Sequence, residues 1–258
     1  MNNILIKVEN LVKTFGGLVA LNDCSLEIKD KAITGIIGPN GSGKTTLFNV
    51  ITGNLKPDNG KVFYNGVEIT NEESHDLFHL GVLRTFQIAH EFSNMTVIEN
   101  LMVVPGNQKG EKLLYSLMNS QKIKKEDELI KDKAMEVLKF LKIEHLKNER
   151  AGNLSGGQKK LLELARTMMV DAKIVFLDEV GAGVNKTLLR DISDSILKLN
   201  QDKGYTFCMI EHDFNFISEL CDPVIVLAEG SVLFKGSAED VKSNEQVIES
   251  YLGKGLKK

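Results

Sequence analysis

One glycine-rich stretch of the chain carries residue types that suit the binding of a polyphosphate. It fits the pattern G-x-x-x-x-G-K-[ST] and consists of Gly38, Pro39, Asn40, Gly41, Ser42, Gly43, Lys44, Thr45 and Thr46. Glycines let successive backbone N–H groups approach phosphate oxygens, and a helix that begins here adds the positive end of its dipole. Lys44 supplies a charge for the outer phosphates, and the Thr45 hydroxyl suits an Mg²⁺ ion that shares those oxygens. The alternative is a structural glycine-rich turn with a surface lysine.

Two adjacent carboxylates, Asp178 and Glu179, follow the apolar run Ile174-Val175-Phe176-Leu177. Such a run predicts a buried parallel strand, whose end would reach the phosphate-binding edge of a sheet. Asp178 could then hold Mg²⁺ through water, and Glu179 could accept a proton from an attacking water. A solvated acidic turn is the alternative.

Three further positions are weak signals when each is taken alone. His212 follows the apolar run 205–210, and a neutral imidazole there could hydrogen-bond a phosphate or water. Gln87 follows the strand-like run 82–86, where an amide could meet a metal or water. Phe15 lies upstream of the glycine-rich loop and could stack on a base, although an isolated Phe is more often a core residue.

A second anion-binding helix end is predicted at Leu154-Ser155-Gly156-Gly157-Gln158. Ser155 is a good N-cap, and the two glycines leave the first N–H groups of the following helix accessible. This pattern is also common in structural turns.

The elements that must position these residues alternate between strand and helix patterns, as in an α/β fold. A run rich in Lys and Glu, 109–142, has helical periodicity and predicts a helical lobe inserted into this fold. Strands are predicted at 4–8, 24–28, 32–37, 61–69 (a hairpin), 82–86, 174–178, 205–210 and 224–234 (a hairpin); helices at 44–53, 72–81, 96–101, 156–168, 187–200 and 245–252; and a disordered tail at 254–258.

Composition narrows the class of protein. The chain has 258 residues and a net charge of −3 with both signs mixed, so no basic face for nucleic acid is expected. It contains no apolar run long enough to span a bilayer and no signal peptide, so we expect a soluble, cytosolic protein. Its three cysteines lack metal-site spacing and are expected in the core.

Taken together, the glycine-rich loop, Gln87, the Leu154–Gln158 segment, the Asp178-Glu179 pair and His212 resemble the ATP-binding subunits of ABC transporters. The resemblance implies a single P-loop domain with an antiparallel β subdomain, comprising a RecA-like core at about 1–87 and 168–235, a helical subdomain at 88–167 and a C-terminal helix and tail at 236–258.

The same resemblance implies roles for these residues. Phe15 would stack on the adenine of ATP, Gln87 would contact Mg²⁺ and sense the membrane partner, Glu179 would be the general base, and His212 would contact the γ-phosphate. Two subunits, either two copies of this chain or this chain and a paralogue, would meet head to tail, so that Ser155–Gln158 of one closes on ATP held by the Lys44 loop of the other. The chain would lie on the inner face of the membrane and act with permeases, and indirectly with an extracytoplasmic solute-binding protein.

Within that superfamily, local motifs are similar to those of branched-chain amino-acid importers. They are Arg84–Gln87, Ala182–Asn185, Ile210–Asp213 and Val247–Gly253. The alternatives are a urea importer, the ATPase of lipopolysaccharide export, and a non-transport ABC ATPase such as an iron–sulfur assembly subunit. Val180 and Asn185 depart from the usual Pro and Asp; they are expected to alter loop stiffness and coupling between sites without removing a catalytic group.

Overall fold

The computed structural model describes residues 3–85, 91–106, 108 and 120–252, and its residues cluster into two compact units. The first unit comprises residues 1–87, 173–182 and 196–258, and the second comprises residues 88–172 and 183–195. Each unit is described separately below.

The first unit contains two sheets. Its strands are β1 (Ile4–Phe15), β2 (Leu18–Lys29), β3 (Ile33–Ile37), β4 (Asn59–Tyr64), β5 (Val67–Glu68), β6 (Val82–Arg84), β7 (Ile174–Asp178), β8 (Thr206–Ile210), β9 (Val224–Ala228) and β10 (Ser231–Gly236). The smaller sheet is antiparallel, with the order β2-β1-β4-β5, and the larger has the order β10-β9-β3-β8-β7-β6. In the larger sheet all neighbours are parallel except β10, which pairs antiparallel with β9.

The middle strands of the larger sheet are apolar throughout because helices cover parallel sheets on both faces. Every residue of β3, β7 and β8 is buried. These three strands are neighbours in the order β3-β8-β7, so their carboxyl ends meet at one edge of the sheet. The segments that follow them are the glycine-rich loop, the acidic pair and His212.

Helices occur in both units and form most of the second unit. They are α1 (Lys44–Ile51), α2 (Ser74–His79), α3 (Val97–Met102), α4 (Ser120–Phe140), α5 (Gly156–Met168), α6 (Lys186–Lys203), α7 (Phe214–Leu220), α8 (Ala238–Ser243) and α9 (Glu245–Leu252). Helix α6 is divided between the two units, with residues 186–195 in the second and residues 196–203 in the first. None of the helices in the described ranges combines the length and apolar character needed to cross a membrane.

Several predicted boundaries were wrong. The strands predicted at 4–8 and 24–28 are the longer β1 and β2, because pairing in a hairpin extends both beyond their apolar cores. The helix predicted over 72–81 is only α2, which Gly81 follows at φ 84°. Within the predicted lobe 109–142, α4 begins at Ser120 and residues 109–119 lie outside the described ranges, as does the predicted tail 254–258. Helices α7 and α8 were missed. All three cysteines are buried, as predicted.

Candidate functional site

A cavity of about 370 Å³ lies in the first unit, at the edge where β3, β8 and β7 end. It brings together most of the residues predicted to bind a nucleotide. Its lining consists of Phe15, Leu18, Val19, Ala20, Asn40, Gly41, Ser42, Gly43, Lys44, Thr45, Thr46, Glu179 and His212. Residues from β1, the β3–α1 loop, the end of β7 and the end of β8 therefore share one site.

The glycine-rich loop joins β3 to α1 and owes its shape to glycines at two tight positions. A Cβ on Gly38 would lie 2.1 Å from the Leu227 carbonyl oxygen, and one on Gly43 would lie 2.4 Å from the Ala20 carbonyl oxygen. Gly43 is also the N-cap of α1, at φ 98°, and brings no side-chain cap. The first amides of α1 therefore remain available to an anion at the helix N-terminus.

Lys44 is folded over the same loop. Its Nζ donates to the carbonyl oxygens of Gly38, at 2.8 Å, and Pro39, at 3.0 Å. Burial lowers the pKa of Lys44, and the negative charges of Glu179 and Asp178 act in the opposite direction. The ammonium group therefore lies beside carbonyls and near two acids, where an incoming polyphosphate would stabilise its charge.

Asp178 ends β7 as a buried carboxylate with a cationic partner that the sequence analysis did not identify. The Arg84 guanidinium donates to Asp178 Oδ2 at 2.7 Å, and the two side chains are 8% and 2% exposed. Arg84 also donates to Asn49 of α1 and lies over the Phe48 ring, 5.8 Å from its centroid. A guanidinium can bond two acceptors at fixed angles, so it orients Asp178 relative to α1.

Glu179 and His212 are in direct contact at the rim of the cavity. Glu179 Oε1 lies 2.9 Å from His212 Nε2, and the Glu179 side chain is 19% exposed. Glu179 has φ 50°, a left-handed backbone conformation directly after the end of β7. The acid and the imidazole can therefore act on one water molecule.

Glu211 is a second acid that the sequence analysis passed over. It is 5% exposed, and its Oε1 accepts a hydrogen bond of 2.8 Å from the Gly181 N–H. Burial raises the pKa of this carboxyl, although backbone N–H groups of Gly181 and His212 partly offset that effect. Glu211 thus ties the loop after Glu179 to the end of β8. Its position directly after an apolar strand was the only available signal.

Ser155–Gln158 forms a capped helix start in the second unit. The Gln158 N–H donates to Ser155 Oγ, and the Ser155 N–H donates to Gln158 Oε1, which is a capping box. A Cβ on Gly156 would meet nothing within 4 Å, whereas one on Gly157 would lie 2.2 Å from Leu188 Cδ2. The helix end is therefore packed on one side and open at Gly156.

The two positions that depart from the usual motifs have local structural roles. Val180 is 5% exposed and so contributes to packing as well as to loop conformation. Asn185 Oδ1 accepts from the Leu188 N–H at 3.0 Å and caps the start of α6. An amide oxygen can make that bond as a carboxylate would.

The second unit also contains a buried ion pair that was not predicted. Lys159 follows the Ser155–Gln158 segment directly in the sequence. Its Nζ lies 2.7 Å from Glu91 Oε1, and the Glu91 side chain is 7% exposed. The pair connects helix α5 to Glu91, which precedes α3 in the chain. Gln87, the predicted lid residue, lies outside the described residues.

Comparison with known proteins gives concordant results. The ABC transporter family model matches residues 21–182. The chain is 43% identical over 96% of its length to a probable branched-chain amino acid transport ATP-binding protein of Archaeoglobus fulgidus, covering 95% of that protein. It is 42% identical over 96% of its length to a protein of the same description from Methanocaldococcus jannaschii, covering 97% of it.

Solved structures agree with the sequence relatives. A nucleotide-free ATP-binding cassette of an ABC transporter is similar with a TM-score of 0.83 and 41% identity, covering 96% of this chain and 98% of that one. A dimeric bacterial ABC transporter cassette is similar with a TM-score of 0.74 and 25% identity, covering 91% of this chain and 99% of that one.

Proposed function

The chain belongs to the ABC transporter family and is an ATPase of that family, and on this premise we propose that its hydrolysis of ATP powers the import of branched-chain amino acids. The observation that carries the chemistry is the cavity in which the Lys44 loop, Glu179 and His212 meet. The names of the relatives, matched over nearly the whole chain, support the class of cargo.

ATP would lie along the cavity with its base at Phe15 and its phosphates in the Gly38–Thr46 loop. Amide N–H groups at the start of α1 would bind the phosphate oxygens, and Lys44 would exchange its carbonyl partners for the outer phosphates. This orientation is supported by the fact that Phe15 and residues 40–46 of the loop line the same cavity.

The donor atoms near the phosphates suit Mg²⁺. Thr45 and Asp178 offer oxygen ligands, which this hard cation prefers. Gln87, which lies outside the described residues, would add an amide oxygen, and the remaining positions would be taken by phosphate and water. The described residues contain no cluster of three or more His, Cys, Asp or Glu that could hold a metal ion. The ion would neutralise charge on the phosphates during hydrolysis.

Glu179 would act as the general base and His212 as its partner at the γ-phosphate. Their 2.9 Å contact brings a carboxylate and an imidazole to one point on the rim, where Glu179 can take a proton from water. Lys44 and the helix N-terminus of α1 would stabilise the charge that develops on the transferred phosphoryl group.

A second subunit would complete each site. The Ser155–Gln158 helix end has open space beside Gly156 and accessible N–H groups, which suits it to close on the γ-phosphate of ATP held by a partner. The dimeric relative supports such an assembly. Permeases in the membrane would bind the dimer on the cytoplasmic side, and a solute-binding protein would deliver cargo to them from outside.

Purification with membrane partners tests this proposal. Tagged Glu179→Gln protein, expressed in its own cells and incubated with ATP, is purified from detergent extracts and its partners are identified by mass spectrometry. We expect permeases that, reconstituted with the unmodified chain, take up leucine in an ATP-dependent manner, and no uptake with Lys44→Ala. Uptake of urea instead, or recovery of lipid-export components, would contradict the cargo while leaving the ATPase chemistry intact.

A further inference from the structure

The Phe15 ring lies at the tip of a hairpin whose own turn does little to fix it. Phe15 is the last residue of β1 and pairs with Leu18 across Gly16 and Gly17. Glycine is the least restricted residue, so these two residues by themselves do little to restrict the conformation of the tip. Phe15 is nevertheless 47% exposed on the cavity wall. Ordering the residue there costs conformational entropy, which contacts from other groups must offset.

Asp58 supplies such groups from a different part of the chain. The ladder between β1 and β4 ends at the pair Val12 and Asn59. Beyond it, Asp58 Oδ2 accepts hydrogen bonds from the Thr14 N–H at 2.6 Å and from Thr14 Oγ1 at 2.7 Å. The Asp58 N–H donates to the Val12 carbonyl oxygen at 2.8 Å. Asp58 thus continues the hydrogen bonding along β1 as far as Thr14, the residue before Phe15.

The same carboxylate fixes the position of a cation over the Phe15 ring. Lys13 Nζ lies 2.8 Å from Asp58 Oδ1 and 5.8 Å from the centroid of that ring. The bonds from Lys13 and then Thr14 lower the pKa of Asp58 to about 2, so the carboxylate stays ionised at neutral pH. Among the described residues lining the cavity, Phe15 is present and Lys13 is not. The ammonium group of Lys13 therefore lies over the Phe15 ring without lining the cavity that a base would enter.

We propose that Asp58 is a positioning residue for recognition of the nucleotide base, because it holds Thr14 and Lys13 so that one face of Phe15 is presented to the cavity. This inference rests on the proposed function, in which Phe15 stacks on adenine. Asp58 also lies in the segment 52–58 that directly follows α1, the helix whose N-terminus bears the phosphate loop. The segment 52–58 and α1 therefore connect Asp58, which holds the residue before Phe15, to the phosphate loop.

Binding of ATP is compared with binding of inorganic tripolyphosphate, which lacks the base and ribose, by isothermal titration to the full chain. The variants are Asp58→Ala, Phe15→Ala and the double variant. Glu68→Ala is the matched control, because the Lys61–Glu68 pair in the same sheet has the same 2.8 Å separation and does not line the cavity.

We expect Asp58→Ala and Phe15→Ala each to weaken ATP binding by about three- to tenfold, the range that corresponds to an aromatic stacking contact. Tripolyphosphate binding should be unchanged, and the double variant should be little weaker for ATP than Phe15→Ala alone, because Asp58 acts through the ring. Asp58→Asn keeps an acceptor for Thr14 but loses the ion pair with Lys13, so it should fall between Asp58→Ala and the unmodified chain. Glu68→Ala should bind both ligands as the unmodified chain does.

The outcomes separate the inference from the proposed function. If Asp58→Ala binds ATP normally, weakens ATP and tripolyphosphate equally, or adds its full effect to that of Phe15→Ala, the positioning role is wrong. If Phe15→Ala binds ATP normally, the stacking contact itself is wrong and the inference fails with it, while phosphate binding stands. If the unmodified chain binds neither ligand, the proposed function fails.

Discussion

At the scale of single residues, the contact between Glu179 and His212 places a carboxylate beside the predicted γ-phosphate position. Glu179→Gln retains the size and hydrogen-bonding capacity of the side chain but removes the base. We expect turnover to fall by about 10²- to 10⁴-fold, the usual contribution of a general base, with ATP affinity changed little. Phosphate release and equilibrium binding of ATP measure the two quantities separately. Undiminished turnover would remove Glu179 from the role of base.

Arg84 gives a prediction on stability, because its guanidinium is the buried partner of Asp178. Arg84→Met leaves that carboxylate, which is 2% exposed, without its cation. We expect the free energy of unfolding to fall by about 3–5 kcal/mol, as is typical when one partner of a buried pair is removed. Urea denaturation followed by circular dichroism measures it.

The matched control for Arg84→Met is Lys61→Met, which breaks an exposed pair of similar length, 2.8 Å against 2.7 Å. Exposed pairs contribute little because water screens them and ordering long side chains costs entropy. We therefore expect an unfolding midpoint close to that of the unmodified chain for Lys61→Met. Equal losses in both variants would show that burial of Arg84 and Asp178 does not set the strength of their interaction.

At the scale of elements, the edge at which β3, β8 and β7 end was predictable and its internal contacts were not. Each strand is an apolar run, with Gly38 directly after β3, Asp178 at the end of β7 and Glu211 directly after β8, so composition and position both indicate a site there. The bond from Arg84 to Asp178, by contrast, joins residues 94 positions apart, and a local pattern carries no information about such a pair. The same holds for Asp58 and Thr14, 44 positions apart.

The missed helices α7 and α8 have N-cap signals in their sequences. Asp213 accepts from the Asn215 N–H at the start of α7, and Ser237 and Asp240 form a capping box at the start of α8. Both are N-cap residue types at the expected spacing. These helices are short, so their apolar periodicity is too brief to be distinguished from a loop.

Glu211 links β8 to the loop after β7 and gives a prediction on pH. Because burial raises the pKa of its carboxyl, the folded chain binds this proton more tightly than the unfolded chain does. Its ionisation therefore lowers stability as pH rises through that raised pKa. Glu211→Gln can still accept from Gly181 but carries no charge, so we expect its melting temperature to exceed that of the unmodified chain at pH 8.

The difference between Glu211→Gln and the unmodified chain should shrink as pH falls towards the ordinary range of glutamate, about pH 4. Below that value both chains carry a neutral side chain at residue 211. Thermal unfolding of the two proteins from pH 4 to pH 8 measures the trend. A constant difference across this range would show that ionisation of Glu211 does not contribute to the stability difference.

At the scale of the whole molecule, the proposed mechanism uses two chains, with the Ser155–Gln158 helix end of one subunit closing on ATP held by the Lys44 loop of the other. In a head-to-tail homodimer, each ATP would contact Lys44 of one subunit and Ser155 of the other. A variant defective at either position should then be inactive alone, since both of its sites contain the defect. This arrangement makes complementation between two inactive variants possible.

We expect a mixture of Lys44→Ala and Ser155→Arg chains to recover activity. In a mixed dimer one site carries both substitutions, and the other combines an unmodified Lys44 loop with an unmodified Ser155 helix end. Since half the dimers are mixed and each has one intact site, activity should reach about a quarter of the unmodified value if the sites act independently. Dimers of unmodified and Lys44→Ala chains calibrate the activity of a single site. If that calibration shows activity and the two inactive variants still fail to complement each other, the shared-site homodimer is wrong.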